Sequence, residues 1–344
     1  MNDLARHNVT ANKAYQAVSY SPCPLLDRFL EESRGTMDTI YIVNCAINAI
    51  FSLTAVFTNA LVIASIWRAS SLRSPIYYLI FGLAVSDFGV GLLTQPFYVL
   101  YKMAGLYERS KLSCVAGIWF TLISNQLSGV SSLTVTVITL DRVVALYFHL
   151  RYKELLTLQR VKLALLVTWL LSASADIAWL ASLKVFYFTV SVGFAIFLTT
   201  TLLAYIMIFR TVKRHHLQIQ QQTTAVLNLS NASSQENPNS RANAIDRSQK
   251  DAARFRHLSM AMFLVYLVFL LCILPLMCVL LVASFHGRGT AVETAINFTM
   301  TLVFINSTLN PFLYCFRLKT LRREIWNTLR YISSVQLRVL RTER

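Results

Sequence analysis

The stretch "LAVSDFGVGLL" holds Asp87 in an otherwise apolar run. Farther along, Asp141 and Arg142 stand side by side after "VAGIWFTLISNQLSGVSSLTVTVITL" (115–140), which contains no charge. An ionisable group at such a place is costly and therefore marks function. Asp87 is accompanied by short oxygen-bearing side chains at comparable depth: Asn59, Ser131, Asn306, Ser307 and Asn310. Hard cations prefer oxygen ligands, so Asp87, Ser131, Asn306, Ser307 and Asn310 form a candidate site for a sodium ion. Other chemistries lack their residues. There is no His-Glu-x-x-His metal helix and no Gly-x-Ser-x-Gly nucleophile turn, and residues 293–316 contain no lysine for a Schiff base. Nothing points to an enzyme.

What must position these groups is a membrane bundle. The chain has 344 residues, 55% hydrophobic and 14% charged, where a soluble domain carries about 25% charge. Spanning segments of about 20 apolar residues fall at 40–67, 75–100, 113–140, 161–182, 185–209, 257–285 and 293–316. Between Leu163 and Phe209 the only charges are Asp176 and Lys184. That run is too long for one crossing at about 1.5 Å per residue, so a tight turn at Ser182-Leu183-Lys184 divides it in two. Asp176 itself reads as a contact within the bundle or at an interface.

Most of the 32 Lys and Arg follow the first, third, fifth and seventh spans. Basic loops stay cytoplasmic, which places the amino terminus (1–39) outside, with the sequon at Asn8 open to glycosylation. The formal charge of +16 then reflects topology and attraction to anionic lipid rather than nucleic-acid binding. The Gln/Asn/Ser-rich segment of about 215–252 reads as a flexible cytoplasmic loop. Past the seventh span, residues 317–344 form a tail in which Leu318, Leu321, Ile325 and Leu329 recur at helical spacing among basic residues, the pattern of an interfacial helix. The expected fold is all-α: a seven-helix transmembrane bundle (40–316) with a short interfacial helix after it. Pro275 and Pro311 each remove a helix hydrogen bond and mark kinks.

Taken in order, "TNALVI", "LAVSD", Asp141-Arg142, Trp169, Tyr205 in "AYIMIFRTVKRH", "FLLCILP" and "NPFLYCFR" resemble a rhodopsin-like (class A) G-protein-coupled receptor over about residues 40–330. The resemblance implies a heterotrimeric G protein as partner and a multi-pass place in the plasma membrane. It assigns activation to Asp141, Arg142, Tyr205, Pro275, Asn310, Pro311 and Tyr314: Asp141 neutralises Arg142 while the bundle is shut, and the sixth span swings about Pro275 to open it.

The departures carry information. Val143 stands where the family has tyrosine, Phe255 where many members have a glutamate that latches the arginine, and Ile273 where the family has tryptophan. Loss of the latch implies basal activity without ligand. Phe197 replaces the usual fifth-span proline, and the second outer loop is almost absent. These features look like the melanocortin, lysophospholipid, cannabinoid and adenosine receptors. Of six cysteines, only Cys23 and Cys114 lie on the oxidising outer side. They form a bridge, pinning the amino terminus over the pocket, or remain two free thiols.

By the same resemblance the ligand pocket involves Thr121, Ser124, Asn125, Leu276, Leu280, Met300 and Phe304. Ser124 stands near the acid that amine receptors need; Phe97, Gly117 and Thr121 stand near the melanocortin acids. A small neutral or lipid-like ligand is expected. The alternative is a transporter or ion-conducting seven-helix protein without G-protein coupling, for which paired repeats or broken helices would be expected; neither is evident.

Overall fold

A computed structural model describes residues 38–148, 152–230, 262–283 and 289–342, with single positions at 260 and 285. The described residues are helical apart from short turns. The helices are α1 (Asp38–Arg68), α2 (Pro75–Leu106), α3 (Ser110–Tyr147), α4 (Leu158–Ala181), α5 (Leu183–Ser230), α6 (Met262–Ala283), α7 (Thr290–Arg317) and α8 (Lys319–Thr342). A single turn of helix, Tyr152–Leu155, lies between α3 and α4.

Six of these helices are long and apolar enough to cross a membrane, and α7 is not among them. At 28 residues it has the length, but much of its surface is polar and turned inward: Asn297, Thr299, Thr301, Asn306, Ser307, Thr308 and Asn310 are all buried. Several of those side chains find partners on other helices: Asn297 accepts from Tyr98, Thr301 donates to Asn44, Thr308 to the Phe51 carbonyl and Asn310 to Asp87, as a lipid-embedded helix requires. The turn between α4 and α5 is as short as a turn can be, with Ser182 alone between Ala181 and Leu183.

The fifth helix differs from the sequence reading. It continues to Ser230, so the first part of the loop expected from about 215 is helix. The run "RTVKRHHLQIQQQTTAVLNLS" has no Gly or Pro, and straight-chain Gln, Lys, Arg and Leu lose little freedom in a helix. Residues 231–259, which include the rest of that loop and Phe255, lie outside those described. So do Asn8 and Cys23. Cys114 is disulfide-bonded; Cys45, Cys272, Cys278 and Cys315 are free.

Helix starts follow local rules. Ser74 in an extended conformation precedes Pro75 at the first helical position of α2, where proline's missing N–H costs nothing. Thr157 caps α4 by accepting from the Arg160 N–H at 3.4 Å. The apolar stripe of α8 docks on the bundle. Leu318, Leu321 and Ile325 are buried in the same inner core as Val62, Ile66 and Leu72, while Trp326 and Ile332 remain exposed. Arg68 lies over the Tyr331 ring at 3.7 Å, and Ser71 donates to Glu324 Oε1 at 3.1 Å. Hydrogen bonds from Asn327, Ser71 and Arg323 hold the Glu324 carboxyl below its ordinary pKa, so it is ionised at neutral pH and remains an acceptor.

Inside α2, Val90–Thr94 form a π-turn. Pro96, just beyond it, cannot donate to the carbonyl four residues back, and the widened turn absorbs that break. It also brings Gly91 onto α1, where Ser52 Oγ donates to the Gly91 carbonyl at 2.7 Å. A Cβ at Gly91 would lie 2.9 Å from Ala55 Cβ and 3.0 Å from the backbone of Ser52 and Val56. Backbone cannot step aside, so Gly91→Leu should destabilise by at least about 1–3 kcal/mol. A lowered thermal midpoint of the purified protein would show this. Gly193→Ala, where the added Cβ meets nothing within 4 Å, should leave the midpoint unchanged or raise it.

Candidate functional site

At the inner end of α3 the adjacent acid and base are both buried, each 3% exposed. Arg142 Nε donates to Asp141 Oδ2 at 2.8 Å, and the terminal guanidinium nitrogen Nη2 contacts the same oxygen. The other carboxylate oxygen, Oδ1, accepts from the Tyr152 hydroxyl at 2.9 Å. Tyr152 in turn accepts from Arg142 Nη2 at 3.4 Å, so three side chains close a ring. Burial, reinforced by the Asp141 charge, pushes the Tyr152 phenol above its ordinary pKa; it therefore stays protonated and donating. Tyr152 was not visible from the sequence as a functional residue. Its only signal was a tyrosine among the charges of "HLRYKEL".

Tyr205 and Tyr314 lie in the inner core with Val135 and Ile138 of α3. Tyr205 stacks on Tyr266 at 5.2 Å and meets Phe263 edge-on at 4.9 Å. Both phenol oxygens are buried without a hydrogen-bond partner, and neither bonds to Arg142. Pro311 is buried within α7, and Pro275 lies within α6.

At mid-depth, Asp87 is fully buried. Asn310 Nδ2 donates to its Oδ2 at 2.8 Å, and Ser131 Oγ to its Oδ1 at 3.4 Å. Ser131 is also bonded to Ser86 at 2.9 Å, and Ser307 hydrogen-bonds the carboxyl as well. Asn59 Nδ2 ties α1 to α7 by donating to the Ser307 carbonyl at 3.0 Å. The amide oxygens of Asn59, Asn306 and Asn310 are buried without partners. Unused oxygens at the depth of a carboxylate are a donor set suited to a hard cation.

At the outer end a cavity of about 330 Å³ opens between α2, α3, α4, α5, α6 and α7. Thr121, Ser124, Asn125, Leu276, Leu280, Met300 and Phe304 all line it. One wall is an aromatic cluster in which Tyr98 lies 5.3 Å from Phe120 and 5.9 Å from Phe304. Tyr98 is fixed by donating to Asn297 Oδ1 at 3.0 Å. The floor includes Ile273 and Phe197, with Phe197 edge-on to Phe269 at 5.3 Å. Among the lining residues Lys102 is the one base and Glu293 the one acid. Lys102 Nζ lies 4.6 Å from the Tyr41 ring and 5.0 Å from the Tyr101 ring, an arrangement that stabilises its charge. Tyr98, Lys102 and Trp179 were not expected on the wall, because the sequence pointed to spans three, five, six and seven; Asn297 stands in the seventh span but was not singled out there.

A bundle of seven spanning helices with a buried ion pair at one end of α3 and a cavity at the other has the build of a seven-helix receptor. The family described as 7 transmembrane receptor (rhodopsin family) matches residues 58–186 and 176–314, and the chain belongs to it. The two segments overlap across the short α4–α5 turn. Similar proteins include the adenosine receptor A2b of Gallus gallus, 35% identical over 138 residues, 40% of this chain and 38% of that one. The A2b receptor of Rattus norvegicus is 33% identical over 40% of this chain and 39% of its own length. The 5-hydroxytryptamine receptor 1B of Felis catus is 30% identical over 38% and 32%. The chain thus spans about two fifths or less of the length of these relatives. Squid rhodopsin superposes with a TM-score of 0.70 at 18% identity, covering 90% of this chain and 89% of that one, which shows the shared fold. These relatives are receptors, not enzymes, and they lend the transporter alternative no support.

The ring at the end of α3 sets an order of effects. Asp141→Ala would leave Arg142 buried and uncompensated, a loss of about 3–5 kcal/mol. Tyr152→Phe removes the hydroxyl's two hydrogen bonds to charged groups, of which the 2.9 Å bond to Asp141 is the stronger, a loss of about 1.5–3 kcal/mol. Thermal midpoints of the two purified variants should fall in that order; a Tyr152→Phe protein as stable as the native one would remove Tyr152 from the ring.

Proposed function

We propose that this protein is a G-protein-coupled receptor of the plasma membrane, with its amino terminus outside the cell. Its ligand is small, neutral or lipid-like, and binds in the outer cavity. The observation that carries this reading is that one helix, α3, lines the cavity at its outer end and bears the buried Asp141–Arg142–Tyr152 ring at its inner end. A ligand favouring a more open bundle would draw the population toward it. Outward movement of α6 about Pro275 would then free Arg142, with Tyr205 and Tyr314 near its path, to receive a heterotrimeric G protein. Asn310 and Pro311 allow α7 to adjust.

Among the described residues, the hydrogen bonds of Asp141, Arg142 and Tyr152 close on one another and none reaches α6. Phe255 in place of a latching glutamate, with Tyr205 packed on Phe263 and Tyr266 of α6, supports activity without ligand. Asp87, Ser131, Asn306, Ser307 and Asn310 would hold a sodium ion, whose charge would stabilise the shut packing of α2, α3 and α7. The basic face of α8 would lie on anionic lipid of the inner leaflet.

The test is ligand-free G-protein dissociation in cells across a panel of Gα sensors, comparing the native chain with Arg142→Ala at matched surface expression. A basal signal that falls to background in the variant is expected, and the responding sensor names the partner. A basal signal that persists unchanged in Arg142→Ala would count against the role given to Arg142.

A further inference from the structure

Asp176 takes no part in the function proposed above, yet it is an acid within a spanning helix. On α4 it lies four residues after Ser172 and three before Trp179, a spacing that puts all three on one helical stripe. That stripe faces α3. Ser172 is buried and donates to the Gln126 carbonyl at 2.8 Å, and its hydroxyl fills the space where Gly129 would carry a Cβ. Trp179 is 3% exposed and lines the cavity. Asp176 is therefore held between a tight helix crossing and the cavity wall.

Its neighbour across the contact is Asn125, which lines the cavity. Asn125 Nδ2, a donor, and Asp176 Oδ1, an acceptor, are each buried without a hydrogen bond of good geometry. Two complementary groups left unmade side by side in an apolar setting are costly, and a small rotation of either would join them. The consequence for the cavity follows from the amide's shape. With Nδ2 turned to the carboxylate, Oδ1 is the atom left to face the cavity. The neighbouring hydroxyls of Ser124 and Ser128, also on the wall, can donate or accept, whereas an amide oxygen only accepts. Asn125 therefore fixes the polarity of this part of the wall.

We propose that Asp176 is a positioning residue that holds the Asn125 amide with its oxygen toward the cavity, so that the ligand is an uncharged amphiphile presenting an N–H or O–H donor at this depth. An anionic head would meet an acceptor backed by a carboxylate. The proposal rests on the cavity being the ligand site and names what that site reads. The remaining wall, with Phe194, Phe197, Ile273, Leu276 and Met277, takes the apolar part.

The experiment uses the full-length protein in nanodiscs, with binding read as saturable thermal stabilisation. The probes are dodecanamide, which has N–H donors, and N,N-dimethyldodecanamide, which has none; dodecanoate and dodecylammonium are the charged arms. Loss of a needed hydrogen bond should weaken the dimethyl compound at least about tenfold. Discrimination between the two amides should fall toward unity in Asp176→Leu, in Asn125→Leu and in the double variant alike, and return in Asp176→Glu. A merely structural Asp176 would alter stability without altering that ratio. Equal binding of the two amides, binding of neither, preference for a charged probe, or independent additive effects of the two substitutions would each overturn the proposal. The two amides on the native protein test the ligand half even where a variant fails to fold. No G protein is present, so failure here is separate from failure of the Arg142 experiment.

Discussion

In a bundle surrounded by lipid, a polar group that turns inward must find its partner in another helix, because no water competes for it. That constraint organises this protein from end to end. Asn59 bonds a carbonyl on α7, and Asn310 bonds the carboxylate of α2. Gln126 Nε2 bonds the Trp169 carbonyl across α3 and α4 at 3.0 Å. Each bond fixes the height of one helix against its neighbour, which apolar packing alone does weakly. The groups left unmade are correspondingly informative. The phenols of Tyr205 and Tyr314, the amide oxygens around Asp87, and the Asn125–Asp176 contact lie where an ion, a ligand or a second packing of the helices would satisfy them.

The Asp141–Arg142–Tyr152 ring is the most concentrated case. Burial of a charge is tolerated only with a close partner and satisfied hydrogen bonds, and the ring supplies both from α3 and the one-turn helix after it. Among the described residues the ring's hydrogen bonds stay within α3 and that one-turn helix. On the proposed reading, movement of α6 is opposed by aromatic packing of Tyr205, Phe263 and Tyr266, which is non-directional and can re-form in a shifted register. A barrier of that kind suits a protein that opens without being broken.

Much of the architecture was legible in the residues. Seven apolar runs announced seven spans, and the α4–α5 turn followed from the length of a nearly uncharged stretch. The seventh helix, expected at 293–316, is polar on its inner side. The extension of α5 to Ser230 was not foreseen, because a Gln-rich run without Gly or Pro is compatible with either helix or loop. The seven residues named for the pocket all fall on the cavity wall. Tyr98, Lys102 and Trp179 were passed over because α2 and α4 were not expected to contribute, and Asn297 because nothing in the spacing of α7 set it apart. Tyr152 carries only a weak local signal, its place among the charges of "HLRYKEL", since its partner is fixed by how the chain folds back after α3.

The sequence by itself determined the spans, their order, and the residues whose polarity had no place in lipid. It did so because hydropathy and charge act residue by residue and need no neighbour. Only the tertiary structure decided which polar groups meet: that Tyr152 closes the ring, that Gly91 lets α2 lie on α1, and that Asp176 faces Asn125. Those outcomes depend on helix rotation and height to within about 1.5 Å per residue. Such precision comes from the packing of all the helices together and is not encoded in any one of them.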